Sequence, residues 1–372
     1  MSLKENRLDF HNNVDAYKSH NKSIHAGRHK MIAKKFILLF LLGLYTSVSM
    51  ALPTAKITLK VVDENGLPIK GASAGIVLEK AKGLGQGWGT NTSWVSGLTD
   101  KKGEFTGEGK TARHISFSVK KTGYYYTVGD FDDFTGVSGF LLIKKYIPWN
   151  PTIEITLKKK INPIPMYVVP LNYFDRGTKP ELPMLDHFIG FDLLAGDWVA
   201  PYGLGTHEDF LIKVNIKRAI SYDNHDVILT IRFSNEGDGF IEYAPDISRG
   251  KSELRLPRTA PSSGYQPVYT RRYENNPETL KNGVLGNPEY DTNYFFRIRT
   301  KLDKDGNAIG GLYGKIYGEV KLYNYTLSRK DNNPFIGFNY YLNPNDNDQN
   351  IEYGIDKNLY GNLPKKLKVQ NP

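Results

Sequence analysis

Among the side chains able to move protons or hold a metal, the densest group lies between Asp186 and Asp209: Asp186-His187, Asp192, Asp197 and His207-Glu208-Asp209. If the two histidine-bearing clusters converged around Asp197, they would offer mixed nitrogen and oxygen ligands to a divalent metal. The same acids, with Glu236 and Asp238, could also set two carboxylates about 5–9.5 Å apart, the separations that glycoside hydrolysis uses. Spacing alone dictates neither outcome. The remaining histidines of this part, His114 and His225, complete no His-Glu-x-x-His pair, and no Gly-x-Ser-x-Gly elbow occurs. Asp303-Lys-Asp-Gly-Asn307 has the alternate oxygens of a calcium loop, yet Ala308 stands at the sixth position and Gly314 at the twelfth, where such a loop needs Gly and a bidentate Glu. It reads as a hairpin turn, and the acidic run Asn345–Asn350 reads as a solvated loop. No catalytic residue, metal ligand or cofactor is assigned. A carbohydrate-active or metal-dependent hydrolase centred on residues 186–209 stands as the alternative function.

Aromatic residues give the second kind of candidate. Trp88 and Trp94 lie in Gly83-Leu-Gly-Gln-Gly-Trp-Gly-Thr-Asn-Thr-Ser-Trp94, where glycines are expected to leave the rings projecting from a loop. Trp198 and Tyr202, in Asp197-Trp-Val-Ala-Pro-Tyr-Gly203, form a comparable cluster. Exposed rings of this kind stack on sugar faces or anchor a partner protein. The competing reading is that these rings close the open ends of sheets, since Trp is highly buried on average.

The elements that must position these residues are strands. Lys56–Val62, Ile115–Lys120 and Thr152–Lys158 alternate apolar with polar residues and meet turns such as Asp63-Glu-Asn-Gly66 and Leu98-Thr-Asp-Lys-Lys-Gly103. Beyond the basic, proline-bearing stretch Lys158–Pro165, further strand candidates are Asp209–Ile216, Val227–Phe233, Tyr294–Thr300, Gly314–Leu322 and Ile336–Leu342. The expectation is an all-β chain: one β-sandwich over 52–160, a linker over 161–166, a second sandwich of jelly-roll type over 167–362, and a tail over 363–372.

The stretch from Asp63 to Ala72, of the form D-x-x-G-x-P-I-x-G-A, and Thr99-Asp-x-x-Gly-x-Phe105, together with Val119-Lys-Lys-Thr-Gly-Tyr124, resemble a carboxypeptidase-regulatory-like (transthyretin-like) domain. The resemblance covers about a third of the chain after residue 51, with a Gly-rich insertion at 79–96 as its main departure. It implies a transthyretin-like or Ig-like β-sandwich that serves as spacer, stabiliser or binding accessory, and it implies no reaction. The whole is also similar to a group of uncharacterised exported bacterial proteins that join such a domain to a C-terminal β-region. Gly190-Phe-Asp192, Asp197-Trp-Val-x-Pro-Tyr-Gly203, Tyr294–Thr300 and Tyr340-Tyr-Leu-Asn-Pro-x-x-Asn347 carry that second resemblance.

Residues 1–51 read as a leader. Lys34-Lys35, the apolar run Phe36–Leu44 and the small residues ending in Ala51 are the three parts of a signal peptide, with cleavage after Ala51 and Met31 as a second candidate start. The apolar run falls well short of the roughly 20 residues of a spanning helix, and no second long apolar segment follows. Residues 1–51 hold eight Lys/Arg and three Asp/Glu, so without them the net charge falls from +10 to +5. That balance, with no long block of like charge, argues against a nucleic-acid partner. The absence of cysteine excludes disulfides and thiol chemistry. The function expected is that of an exported, periplasmic or extracellular, non-enzymatic binding or structural protein, engaging a glycan or an envelope protein through Trp88, Trp94, Trp198 and Tyr202.

Overall fold

The computed structural model describes residues 52–81, 90–140, 143–171, 181–221, 223–276, 292–323 and 334–361. Among them there is no helix, and the chain is all-β. The first part supplies β1 (Thr54–Val62), β2 (Ser73–Ala81), β3 (Thr90–Leu98), β4 (Glu104–Lys110), β5 (Ile115–Lys120), β6 (Thr127–Phe131), β7 (Gly136–Phe140), β8 (Ile143–Ile147) and β9 (Thr152–Thr156). The second supplies β10 (Ile164–Leu171), β11 (Ile189–Asp192), β12 (Asp197–Trp198), β13 (Phe210–Ser221), β14 (Asn224–Arg232), β15 (Gly239–Tyr243), β16 (Lys251–Ser252), β17 (Val268–Asn275), β18 (Asn293–Leu302), β19 (Ala308–Ile316), β20 (Lys321–Tyr323), β21 (Phe335–Leu342) and β22 (Tyr353–Asn358).

Alternation decides which face each strand buries. In β5, Ile115, Phe117 and Val119 enter a core while Ser116, Ser118 and Lys120 face out. Two sheets close over that core: β4-β1-β8-β7, with β9 parallel to β1, and β16-β6-β5-β2-β3. Ile57, Leu59, Ile76, Leu78, Ile155 and Leu157 fill the space between them. The two turn motifs of the sequence meet at one end. Asp63 Oδ1 accepts the N–H groups of Asn65 and Leu67, Asp100 Oδ1 those of Lys102 and Glu104, and Thr99 ties the turns by donating to Ile69 O and accepting from Ala72 N–H. Gly103 sits at φ +77° with the Val61 carbonyl 2.4 Å from where a Cβ would stand, so a side chain there is excluded twice over.

The second sandwich sets a seven-stranded sheet, β15-β18-β19-β21-β10-β22 with β20 beside β21, against a five-stranded one, β12-β11-β13-β14-β17. Its core is aromatic, with Phe210 edge-on to Phe233, Phe240 and Phe296. The other face of the larger sheet carries a smaller cluster that includes Phe295, Tyr313, Tyr341 and Tyr353 beneath Leu256 and Ala260. Lys315 lies fully buried on that side. Its Nζ stands 4.9 Å from the centre of the Tyr341 ring and has no hydrogen-bond partner among the described residues. Burial lowers this amine from the ordinary 10.5 to about 7, with Glu352 pulling the other way.

A short strand pairing and a group of polar contacts join the sandwiches. β16, from the second part of the chain, pairs with β6 and so becomes the edge strand of the first sandwich. Arg258 makes a two-pronged pair with Glu64, at 2.9 and 2.8 Å. Glu352, itself buried, accepts from the Tyr125 hydroxyl and from the N–H groups of Ile161 and Asn162. The stretch 161–166 is therefore hydrogen-bonded at its start and already strand from Ile164 onward.

Candidate functional site

The outer face of β6-β5-β2-β3 follows from alternation. β2 turns Ala74, Ile76 and Leu78 inward, which leaves Gly75 and Val77 facing out. Across the pairings, Trp94 stands opposite Val77 and Ser96 opposite Gly75, while Ser116 and Ser118 follow on β5 and Asp130 and Val128 on β6. Three strand spacings make this surface about 14 Å wide. The Trp94 indole reaches diagonally across and rests on Gly75: a Cβ added there would stand 2.3 Å from Trp94 Cζ2. Only a residue without a side chain lets the ring lie down on the sheet. The indole remains 60% exposed. At the far side the His114 imidazole lies 3.3 Å from Ser116 Oγ and 3.4 Å from Asp130 Oδ1. A flat indole flanked by hydroxyls, an imidazole and a carboxylate can stack on the C–H face of a sugar ring and hydrogen-bond its hydroxyls.

The aromatic candidates thus separate. Trp94 belongs to strand β3 rather than to a loop, because Thr90-Asn-Thr-Ser-Trp-Val continues the period-two pattern back into the Gly-rich stretch. Trp88 lies outside the described residues. Trp198 is not a projecting ring: it is 5% exposed, packed edge-on against Phe191 at 5.2 Å, and part of the second core. The two-residue β12 pairs Trp198 with Phe191 and thereby turns the indole inward. Tyr202, two residues further along the turn than Ala200, is exposed.

Of the acids of 186–209, Glu208 is exposed, Asp186 accepts from the Asn215 amide, and Asp192, Asp197 and Asp209 are tied down. Asp192 accepts N–H bonds from Leu194, Ala195, Thr206 and His207, and Arg299 Nη2 lies 3.1 Å from it. Asp209 takes the same guanidinium on both oxygens, at 2.8 and 3.0 Å, and the Leu193 N–H besides. Burial acts to raise the Asp192 carboxyl, but the backbone N–H groups and Arg299 outweigh it and hold the group below its ordinary value. Asp209 is raised by its deeper burial, against the pull of Arg299. Asp197 accepts from Trp198 and Leu204 N–H groups, and Asp238 from those of Arg299 and Thr300. Among the described residues no three His, Asp or Glu side chains are placed to share a metal. Asp192 and Asp209 form, with Arg299, a tie between the two sheets. Likewise Asp303 bonds the N–H groups of Asp305 and Asn307 and closes the β18–β19 hairpin.

Arg299 was the partner that sequence reasoning missed. It sits at φ +53° in a bulge of β18, which re-aims its side chain away from the face that Arg297 uses and toward the five-stranded sheet. The available signal was the spacing of Arg297 and Arg299 inside an otherwise apolar strand, since buried guanidinium groups require acids.

One cavity, of about 210 Å³, opens where the two sandwiches meet. Lys158, Arg249, Lys251 and Arg255 line it against Asp246, with the Tyr243 ring on its wall. Lys158 Nζ is committed to the Leu254 carbonyl at 2.8 Å, and Arg249 to Glu154 at 3.2 Å.

No protein-family model and no curated protein matches the chain. Solved structures with partial likeness include 3-chlorocatechol 1,2-dioxygenase from Rhodococcus opacus, 12% identical over 30% of this chain, with a TM-score of 0.23; the match spans 62% of the dioxygenase. The shaft pilin SpaA from Lactobacillus rhamnosus is 13% identical, over 50% of this chain and 89% of the pilin, with a TM-score of 0.19. A candidate carbohydrate-binding protein from Bacteroides uniformis is 12% identical, over 76% of this chain and 96% of that protein, with a TM-score of 0.16. Likeness at these TM-scores carries no functional argument.

Proposed function

We propose that this chain is an exported, non-enzymatic binding protein, periplasmic or extracellular, whose N-terminal sandwich is a carboxypeptidase-regulatory-like module and engages a glycan through the face centred on Trp94. One observation carries the reading: the indole is held flat on Gly75, exposed, and surrounded by small hydroxyl-bearing residues. An aromatic ring that size is normally buried, and here it is 60% exposed among the described residues. Of the acids open to the hydrolase reading, Asp192 and Asp209 are already committed to Arg299 and several backbone N–H groups, which favours the binding reading. Among the described residues no helix is long and apolar enough to cross a membrane.

The test is binding to a panel of soluble and insoluble polysaccharides, with the wild type beside Trp94→Ala. The expected result is saturable binding of at least one glycan by the wild type and a loss of about tenfold or more in the variant, the worth of a well-placed aromatic contact. Equal retention by both proteins removes the site. Retention of an envelope protein instead of any glycan, abolished by the same substitution, would keep the face and change the ligand.

A further inference from the structure

We propose that the β7–β8 hairpin is a membrane-contact element that seats on an anionic lipid surface. The hairpin forms the outer edge of its sheet, with β8 toward the sandwich and β7 outermost. It is anchored from below: Tyr146 is buried in the core, its ring 4.5 Å from that of Phe134, and its hydroxyl donates to the Thr111 carbonyl. All five β7 residues are exposed. Phe140 and Ile143, opposite one another at the closed end, are 73% and 72% exposed. Val137 and Ile147, further along the same two strands, are 46% and 43% exposed, so the described apolar residues of the hairpin are open to water. A folded chain normally avoids presenting such an end to water, and an uncapped apolar edge strand is a liability unless something covers it.

Charge selects the cover. The hairpin's only charged residues are Lys144 and Lys145. Lys145 pairs with Ser138, two residues behind Phe140, and its Nζ lies 4.4 Å from the centre of the exposed Trp149 ring. Lys56 approaches the same ring, at 5.9 Å. The nearest acids in sequence, Asp132 and Asp133, precede the hairpin at its open end. Two residues of strand rise put the apolar end about 7 Å beyond the Lys145 backbone, which falls within the about 5–10 Å to which interfacial elements sink into a leaflet. Apolar end, cation and tryptophan then follow one another in the order of acyl chain, headgroup and interface. A second copy seated end to end would bring these lysines against their own counterparts, which like-charge repulsion opposes. The argument is independent of the Trp94 face.

The chain has no cysteine, so single labels are clean. Ile143→Cys, carrying an environment-sensitive fluorophore, is mixed with vesicles of phosphatidylcholine alone or with phosphatidylglycerol added; Ser96→Cys, on the Trp94 face, is the control. The expected result is a blue shift and a several-fold rise at Ile143→Cys on the anionic vesicles, little change on the neutral ones, and none at Ser96→Cys. Lys144→Glu/Lys145→Glu should weaken the response about tenfold or more, since each headgroup contact by a lysine is lost and reversed. Any effect of the leader on vesicle binding is common to both labels, so their difference reads the hairpin. An unchanged Ile143→Cys signal, an equal response at both labels, or a charge reversal without effect would overturn the proposal. A blue shift that grows with protein concentration in the absence of lipid would overturn it in favour of self-association.

Discussion

Lys315→Met tests the cost of enclosing an amine without a hydrogen-bond partner among the described residues. The substitution keeps an unbranched stem beside Tyr341 but removes the ammonium. In the unfolded chain this lysine holds its proton up to 10.5, whereas in the fold it releases it near about 7. Between those values the unfolded state binds more protons, so stability rises with pH across the window, by roughly 2 kcal/mol from about pH 7 to about pH 9. At about pH 7 burial of this group costs on the order of 4 kcal/mol relative to an unfolded lysine. The variant should therefore be the more stable protein near neutrality, by somewhat less than that amount because about 0.5–2 kcal/mol of cation–π contact with Tyr341 is lost. Urea unfolding followed by circular dichroism, over a series of pH values, measures both quantities. A variant that is less stable than the wild type near neutrality, or that keeps the wild-type rise with pH, would refute the reasoning.

Four other outcomes are expected. Arg299→Met leaves Asp192 and Asp209 enclosed without their cation and should cost about 3–5 kcal/mol in urea unfolding, the usual penalty for half of a buried pair. Because Asp192 is held below its ordinary value of 3.8 in the fold, its share of stability is present above that pH and is lost as pH falls through the lower folded value; acid unfolding followed by fluorescence should show this, and Asp192→Asn should flatten the acid limb. Gly75→Val should leave stability within about 1 kcal/mol, since the indole can swing off the sheet, while changing the Trp94 signal and weakening glycan binding as Trp94→Ala does. Glu352→Ala should cost on the order of 3 kcal/mol and expose the 161–166 stretch to limited proteolysis, because it strands the Tyr125 hydroxyl and two backbone N–H groups between the sandwiches.

Strand identity was legible because Ile115-Ser-Phe-Ser-Val-Lys and its counterparts carry their faces in the order of residues, and the Asp-x-x-Gly turns carry their own capping carboxylates. The Trp94 face was half legible: the residue type was visible, but its position on a strand, and the Gly75 seat, depend on a pairing across the hairpin that no local pattern fixes. Trp198 left both readings open for the same reason: Pro and Gly around it signal a turn, and only the pairing with Phe191 shows the ring turned inward. The Asp192–Arg299–Asp209 tie was hidden by 107 residues of chain between Asp192 and Arg299 and by a bulge that reverses the direction of the guanidinium. In the β7–β8 hairpin the apolar letters were plain, but only the register shows Phe140 and Ile143 paired at the exposed end.

Because β16 sits at the edge of the β6-β5-β2-β3 sheet, the first sandwich does not own all of its strands. Its β6 margin stays bare until Lys251–Ser252 arrives, some hundred residues after β9. The two halves thus share one sheet margin, and a cut or loosening of the chain around Lys251–Ser252 would lay bare an edge of the other half.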